Sequence, residues 1–165
     1  MTPFRAGMVL AVVHVSLVGA LGLKLLADRA RLPRAWARTV PFDPDLPIRG
    51  RYVRLRLEVP LAGTPSSVRA GEYHRVRLEP SGDRLEGILD QDGSVRVRLD
   101  STANGLAAGV DEPVAFFIPE HMPDPSIRPP GEELWAEVTV PRTGPPRPIR
   151  LAVRRDGTLT PLQIR

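Results

Sequence analysis

Two periodicities divide the chain. From Ala6 to Leu26 the sequence is apolar apart from His14, Ser16 and Lys24. As a helix rising about 1.5 Å per residue, this stretch reaches roughly 30 Å, the thickness of a bilayer's hydrocarbon core. From Tyr52 onward the pattern becomes strict alternation. Val53-Arg54-Leu55-Arg56-Leu57-Glu58, His74-Arg75-Val76-Arg77-Leu78-Glu79 and Val95-Arg96-Val97-Arg98-Leu99-Asp100 repeat one order, with arginines 21 residues apart. A period of two places the apolar set on one face of a strand and the arginines on the other. The segments between these blocks do not recur, so the repetition is shared strand patterning rather than a repeat architecture.

Strands are expected at Tyr52–Val59, Tyr73–Leu78, Leu85–Leu89, Val95–Leu99, Val114–Ile118, Leu134–Val140, Ile149–Val153 and Leu159–Ile164. Asp92-Gly93 and Asp156-Gly157 supply the positive φ values that tight primed turns need. The prolines between Pro119 and Gly131 preclude a ladder and favour a stiff surface excursion. The expected architecture is all-β: an antiparallel sandwich or small barrel of about eight short strands, preceded by one N-terminal transmembrane helix. Residues 1–5 read as a tail, 6–26 as the transmembrane helix, 27–47 as a basic, Pro-rich juxtamembrane linker, and 48–165 as the β domain. Within the linker Trp36 is expected to anchor at the headgroups, and Pro41, Pro44 and Pro47 to stiffen an extended lead-in. On these boundaries a chain beginning at Val40 should be soluble and folded. A cleavable signal peptide would carry a shorter apolar core ending at a small-x-small site. Val18-Gly19-Ala20 and Ala35-Trp36-Ala37 fit that only loosely, so a retained span is preferred.

Charge relocates the basicity. The chain carries +4. Residues 1–38 account for +5, which leaves −1 for residues 39–165. A nearly neutral β domain argues against nucleic-acid binding. Arg29, Arg31, Arg34 and Arg38 suit anionic headgroups, at about 1 kcal/mol per cation near the surface, and a solvated linker is the alternative reading. Arg54, Arg56, Arg75, Arg77, Arg96 and Arg98 would point to one face if their strands share a sheet. Glu58, Glu79 and Asp100 end the same rows and could pair across strands, at roughly 0.2–1 kcal/mol each. A self-paired solvated face is the expected state, and a binding surface for an anionic partner is the alternative.

The chemistry is sparse. Without cysteine there are no thiol nucleophiles or thiolate metal sites. Lys24 is the only lysine and sits at the membrane boundary, so the domain holds no Ser–Lys dyad. His74 and His121 are the domain's histidines, yet no Gly-x-Ser-x-Gly elbow places Ser66, Ser67 or Ser81 beside them. Glu72 and Glu120 near them show no metal-site spacing. His74 alternates with Val76 and Leu78, which makes it a core-edge histidine. Asp90-Gln91-Asp92-Gly93 lacks the third acidic position and terminal Glu of a calcium loop, and reads as a turn. No catalytic set, metal or cofactor is expected. Within the span, His14 is a polar group where such groups are costly, and Ser16 with Ala20 has small-xxx-small spacing. Both suit a helix that meets a membrane-protein partner, and a single polar residue tolerated in the span is the alternative reading.

Asp43-Pro44-Asp45-Leu46-Pro47-Ile48-Arg49 leading into Gly50-Arg51-Tyr52-Val53-Arg54-Leu55-Arg56-Leu57 resembles the signature of the bacterial GDYxxLxY family. Gly50, Tyr52 and Leu55 match it. Arg51 stands at the motif's Asp and Leu57 at its final Tyr, so a role resting on that acidic group does not carry over. Phe116-Phe117-Ile118-Pro119-Glu120 is similar to the family's aromatic-apolar-Pro-Glu strand end, and Pro119 and Glu120 are its matching positions. Glu133 to Val140 followed by Gly144 is similar to its penultimate strand and turn, and the resemblance spans Pro41 to Ile164. It implies a membrane-anchored β domain, and the function expected here is a non-enzymatic interaction or accessory module of the bacterial envelope, held in the cytoplasmic membrane by residues 6–26. A membrane-anchored hydrolase using His74 or His121 is the alternative. The positive-inside rule, read from the richer C-terminal flank, places the domain in the cytoplasm. The resemblance, and the usual fate of an N-terminal apolar segment followed by a long domain, place it outside. The extracytoplasmic orientation is the one expected here.

Overall fold

The computed structural model describes residues 3–42, 52–63, 68–102, 105–119 and 121–163. The chain forms two units, Met1–Leu32 and Pro33–Arg165. The first is one helix, α1 (Pro3–Arg31). Its segment Gly7–Arg31 is long and apolar enough to cross a membrane, and none of it is buried within the protein. Arg29 and Arg31 fall in its last turn, where cations complement the negative end of the helix dipole.

The second unit is built from β1 (Arg34–Pro41), β2 (Tyr52–Pro60), β3 (Tyr73–Ser81), β4 (Arg84–Leu89), β5 (Val95–Thr102), β6 (Gly105–Val110), β7 (Val114–Phe117), β8 (Glu132–Thr139), β9 (Arg147–Arg155) and β10 (Thr158–Pro161). Six of them close into a barrel in the order β1-β4-β3-β5-β6-β2, with β2 pairing back onto β1. β8, β9 and β10 extend the sheet from β1, and β7 extends it from β2. The all-β small barrel is therefore the fold, with two strands, β1 and β6, beyond those expected.

α1 and β1 overturn the expected linker from residue 27 to 41, while residues 43–47, with Pro44 and Pro47, lie outside the described residues. Ala27 to Arg31 complete α1, and two residues later the chain is already a strand. β1 pairs antiparallel with β8 from Arg34↔Thr139 to Arg38↔Trp135, and with β2 from Arg38↔Glu58 to Pro41↔Leu55. At Trp36↔Arg84 it also meets β4 in parallel. Ala35, Ala37 and Thr39 alternate into the interior, and the Thr39 hydroxyl donates to the Leu134 carbonyl at 2.9 Å. That bond meets the need of a buried hydroxyl for a partner. Alanine and threonine carry too little apolar area to register as hydrophobic alternation, and β1 owes its place to pairing with three distant strands. β6 hid for the same reason, since Gly105, Ala107, Ala108 and Gly109 dilute its pattern. The start of the domain moves from residue 48 to Pro33. The unit from Pro33 then carries +1, being the chain's +4 less +3 for residues 1–32.

The alternation read from sequence sets inside against outside. Val53, Leu55, Leu57 and Val59 of β2, Val76 and Leu78 of β3, and Val95, Val97 and Leu99 of β5 pack into one core with Ala35 and Ala37. Side chains fill the barrel interior, as in other small barrels. β8 is buried on both faces from Leu134 onward.

The two Asp-Gly turns differ. Asp156 (φ +49°) and Gly157 (φ +82°) hold the two positive φ values of a primed turn between β9 and β10. Gly93 has no positive φ. A Cβ there would lie 2.5 Å from both the carbonyl carbon and the oxygen of Val76, and 2.8 Å from the Asp90 oxygen. Glycine is needed at 93 for close backbone approach, and the expected primed turn is corrected accordingly. Instead the Asp90 carboxylate accepts the Asp92 N–H at 3.0 Å, which closes a local side-chain turn.

Candidate functional site

The six arginines all lie outside the barrel, but they do not form one continuous row. β6 separates Arg54 and Arg56 on β2 from the others on β3 and β5. Arg75 and Arg96 sit directly opposite each other, a like-charge pair that needs compensation. Arg75 donates to the Gly93 carbonyl at 3.0 Å. Arg96 lies 4.4 Å over the Tyr73 ring and 3.7 Å from Asp111. Arg77 bridges Glu79 at 2.8 Å and Asp90 at 3.2 Å, and Arg98 approaches Asp100 at 3.8 Å. Arg54 and Arg56 stack on Phe42 at 4.8 and 5.0 Å. Gly109 lets that packing lie flat: a Cβ there would come within 3.1 Å of both Arg56 Cδ and Asp100 Oδ2. Glu58 pairs with Arg38 of β1 at 2.7 Å rather than with a repeat arginine. Exposed pairs of this kind contribute about 0–1 kcal/mol each.

A second outer face, across β4, β1, β8 and β9, was not singled out in the sequence. Register puts Trp36 opposite Glu137, Arg38 opposite Trp135, and Glu137 opposite Arg150. Arg84 and Arg154 lie over the Trp135 ring at 5.7 and 5.1 Å, and Arg150 lies over Trp36 at 5.3 Å. Glu137 is buried and accepts from Arg150 Nε at 2.6 Å. Glu133 accepts the Trp135 indole N–H at 3.0 Å and meets Arg38 at 3.1 Å. Trp36 is therefore a half-buried cross-strand residue of the barrel rather than a headgroup anchor. The shared parity of Glu133, Trp135 and Glu137 was the available signal. Their arginine partners lie on strands distant in sequence.

The family-motif positions fall in different settings. Leu55 is fully buried in the core, and Pro119 is half-buried. Gly50 and Glu120 lie outside the described residues. By its parity, opposite to that of Val53, Leu55 and Leu57, the sequence places Tyr52 on the second face of the sheet, covered by the lead-in prolines or the loop from Pro119 to Gly131. Instead it is exposed and makes a T-shaped contact with Phe117, ring centroids 6.1 Å apart. Phe117 is directly opposite it on β7 and is 75% exposed. Such pairs contribute about 0.5–1.5 kcal/mol beyond area burial.

His74 is half-buried on the inward parity of β3, at the edge of the core as its alternation suggested. It lines an open cleft of about 270 Å³ with Arg75, Leu89, Asp90 and Gln91. Its Nε2 lies 3.1 Å from a Glu72 carboxylate oxygen. That carboxylate also accepts the Arg69 backbone N–H at 3.1 Å. The Arg69 bond first, and His74 second, hold the Glu72 carboxyl below its ordinary value of 4.5. A depressed folded value stabilises the fold above the unfolded value, and that contribution is lost as pH falls through the folded one. Glu72→Gln should therefore lower the thermal midpoint slightly at neutral pH and flatten the acid side of its profile, so that the two proteins converge as pH falls below 4.5. An unchanged acid limb would count against the bond. Ser81 ends β3 seven residues from His74, roughly 23 Å along the strand, too far for a shared site. Ser66 and Ser67 lie outside the described residues. His121 is exposed on the loop between β7 and β8. Among the described residues no group of three His, Cys, Asp or Glu side chains converges to hold a metal. No family model matches the chain, and neither a curated protein nor a solved structure matches it.

Proposed function

We propose that the chain is a single-pass protein of the bacterial cytoplasmic membrane whose extracytoplasmic barrel acts as a non-enzymatic interaction or accessory module of the envelope. The observation that carries this reading is an unburied apolar helix joined to a barrel whose interior is filled by side chains. The barrel's outer surface is then what it offers to a partner. The resemblance to the GDYxxLxY family at Gly50, Tyr52 and Leu55 supports the envelope context and the outward orientation. The full chain should stay in the membrane fraction after carbonate washing, and a periplasm-active reporter fused at Arg165 should be active. A soluble full chain would defeat the anchor, and a reporter active only in the cytoplasm would reverse the orientation.

The arginines on β2, β3 and β5 are read as largely self-paired. The unit from Pro33 should bind phosphatidylglycerol vesicles weakly at 0.1 M salt, where exposed charges are screened beyond about 10 Å. Tight binding that fades with added salt and is lost in Arg75→Gln/Arg77→Gln would make this surface the partner site.

One observation favours a second reading. His74 sits in a cleft with a carboxylate on its Nε2, an arrangement that orients a general base. The residues lining the cleft, His74, Arg75, Leu89, Asp90 and Gln91, include no serine or threonine to serve as the nucleophile of an anchored hydrolase. Hydrolysis of a chromogenic ester that is lost in His74→Gln would support it, and turnover unchanged in that variant would remove it.

A further inference from the structure

Only Leu32 and Pro33 lie between α1 and β1, and the three peptide links from Arg31 to Arg34 reach at most about 11 Å. The inference drawn from this rests on the membrane-spanning reading of α1. On that reading Arg29 and Arg31 end the span at the headgroups, and β1 starts beside them wherever the rest of the barrel lies. Strand register then adds two arginines distant in sequence to that starting point. Arg34 is opposite Thr139 of β8, and Thr139 is opposite Arg147 of β9. The Val140 N–H donates to the Pro33 carbonyl at 2.9 Å, so the loop between β8 and β9 leaves the sheet where the chain enters it. That loop, residues 140–146, carries Arg142 and no carboxylate. Pro141, Pro145 and Pro146 lack the N–H groups of a ladder and keep the loop out of the sheet. Arg34, Arg142 and Arg147 are all exposed. Asp83, whose carbonyl accepts the Trp36 N–H at 2.8 Å, also sits near this end and leaves the cations in excess. Arg38, which the sequence groups with Arg34, is engaged by Glu58 at 2.7 Å and Glu133 at 3.1 Å.

We propose that Arg34, Arg142 and Arg147 form a rim that docks the barrel onto the phosphate groups of anionic lipids in the membrane that α1 spans. The guanidinium fork matches two phosphate oxygens at once. Three such charges are too few to hold the free unit tightly, and the anchor supplies the missing concentration. The structure thereby replaces one member of the basic cluster seen in the sequence, Arg38, with two that only strand pairing brings to the membrane side.

The test uses the full chain in vesicles of phosphatidylcholine alone and of phosphatidylcholine mixed with phosphatidylglycerol, with a lipid spin-labelled at the headgroup as quencher. The chain has no cysteine, so a fluorophore on Thr143→Cys reports the rim alone. A fluorophore on Thr158→Cys is the control, since Thr158 pairs with Arg155 at the far end of β9, roughly 26 Å from Arg147 along the strand. Quenching at 143 should be greater with phosphatidylglycerol, and added salt should reduce it. Each arginine should shift the docked-to-undocked ratio about fivefold. Arg142→Gln/Arg147→Gln should bring quenching at 143 down to its level in phosphatidylcholine. Arg142→Lys/Arg147→Lys, which keeps the charge, should retain most of it. Inorganic phosphate at matched ionic strength should not compete, and competition would make free phosphate the ligand in place of the bilayer. Equal quenching at 143 in the two vesicles, or equal quenching at 143 and 158, overturns the rim and leaves the anchor standing if the chain resists carbonate washing. Loss of the chain to the wash defeats the anchor itself.

Discussion

A chain beginning at Val40 should fail to fold, whereas one beginning at Pro33 should unfold cooperatively. Removing Arg34–Thr39 deletes the register with β8 from Arg34↔Thr139 to Arg38↔Trp135, and the Trp36↔Arg84 bridge to β4. The Trp36 N–H bond to the Asp83 carbonyl, at 2.8 Å, goes with it. β8 would then lose the partner on one edge while its residues from Leu134 to Thr139 remain apolar or half-paired. Buried backbone groups without partners cost about 1–3 kcal/mol each. Several such losses exceed the roughly 5–15 kcal/mol that holds a domain of this kind together. Near-ultraviolet circular dichroism and a thermal melt of the two chains provide the check. A sharp transition in the Val40 chain would show that β1 is dispensable.

Gly93→Ala should destabilise the barrel by about 3 kcal/mol, the upper end for forcing atoms into a packed interior. The new methyl would press on the backbone of Val76 at 2.5 Å, and a backbone in mid-strand between β4 and β5 has no rotamer with which to yield. Gly157→Ala is the control. Its φ is +82° but nothing lies within 4 Å of the added Cβ. It should lose only the roughly 1 kcal/mol of a left-handed residue. Urea midpoints at constant slope decide between the two. Equal losses would mean that both glycines serve turn conformation alone.

The two outcomes show what was local in this chain. The apolar run that forms α1 and the inside-outside assignment of β2, β3 and β5 were legible because each follows from spacing along one segment. Asp156-Gly157 was legible because a two-residue turn carries its own dihedral requirement. The same dipeptide logic misread Asp92-Gly93, since the constraint on Gly93 comes from Val76 in another strand.

Tertiary structure decided the rest. β1 hid behind Ala35, Ala37 and Thr39, whose burial depends on what they face. Thr39 is matched to Leu134 across 95 residues of sequence. Trp36 looked like a membrane residue from its neighbours, and became part of the barrel once Glu137 and Arg150 arrived beside it. The arginines of the three repeated blocks were visible as charges. Which carboxylate, ring or carbonyl each one meets was settled by strand order, because β6 enters between β5 and β2. Alternation is a property of one strand and can be read from it. Pairing is a property of two, and the sequence between them does not carry it.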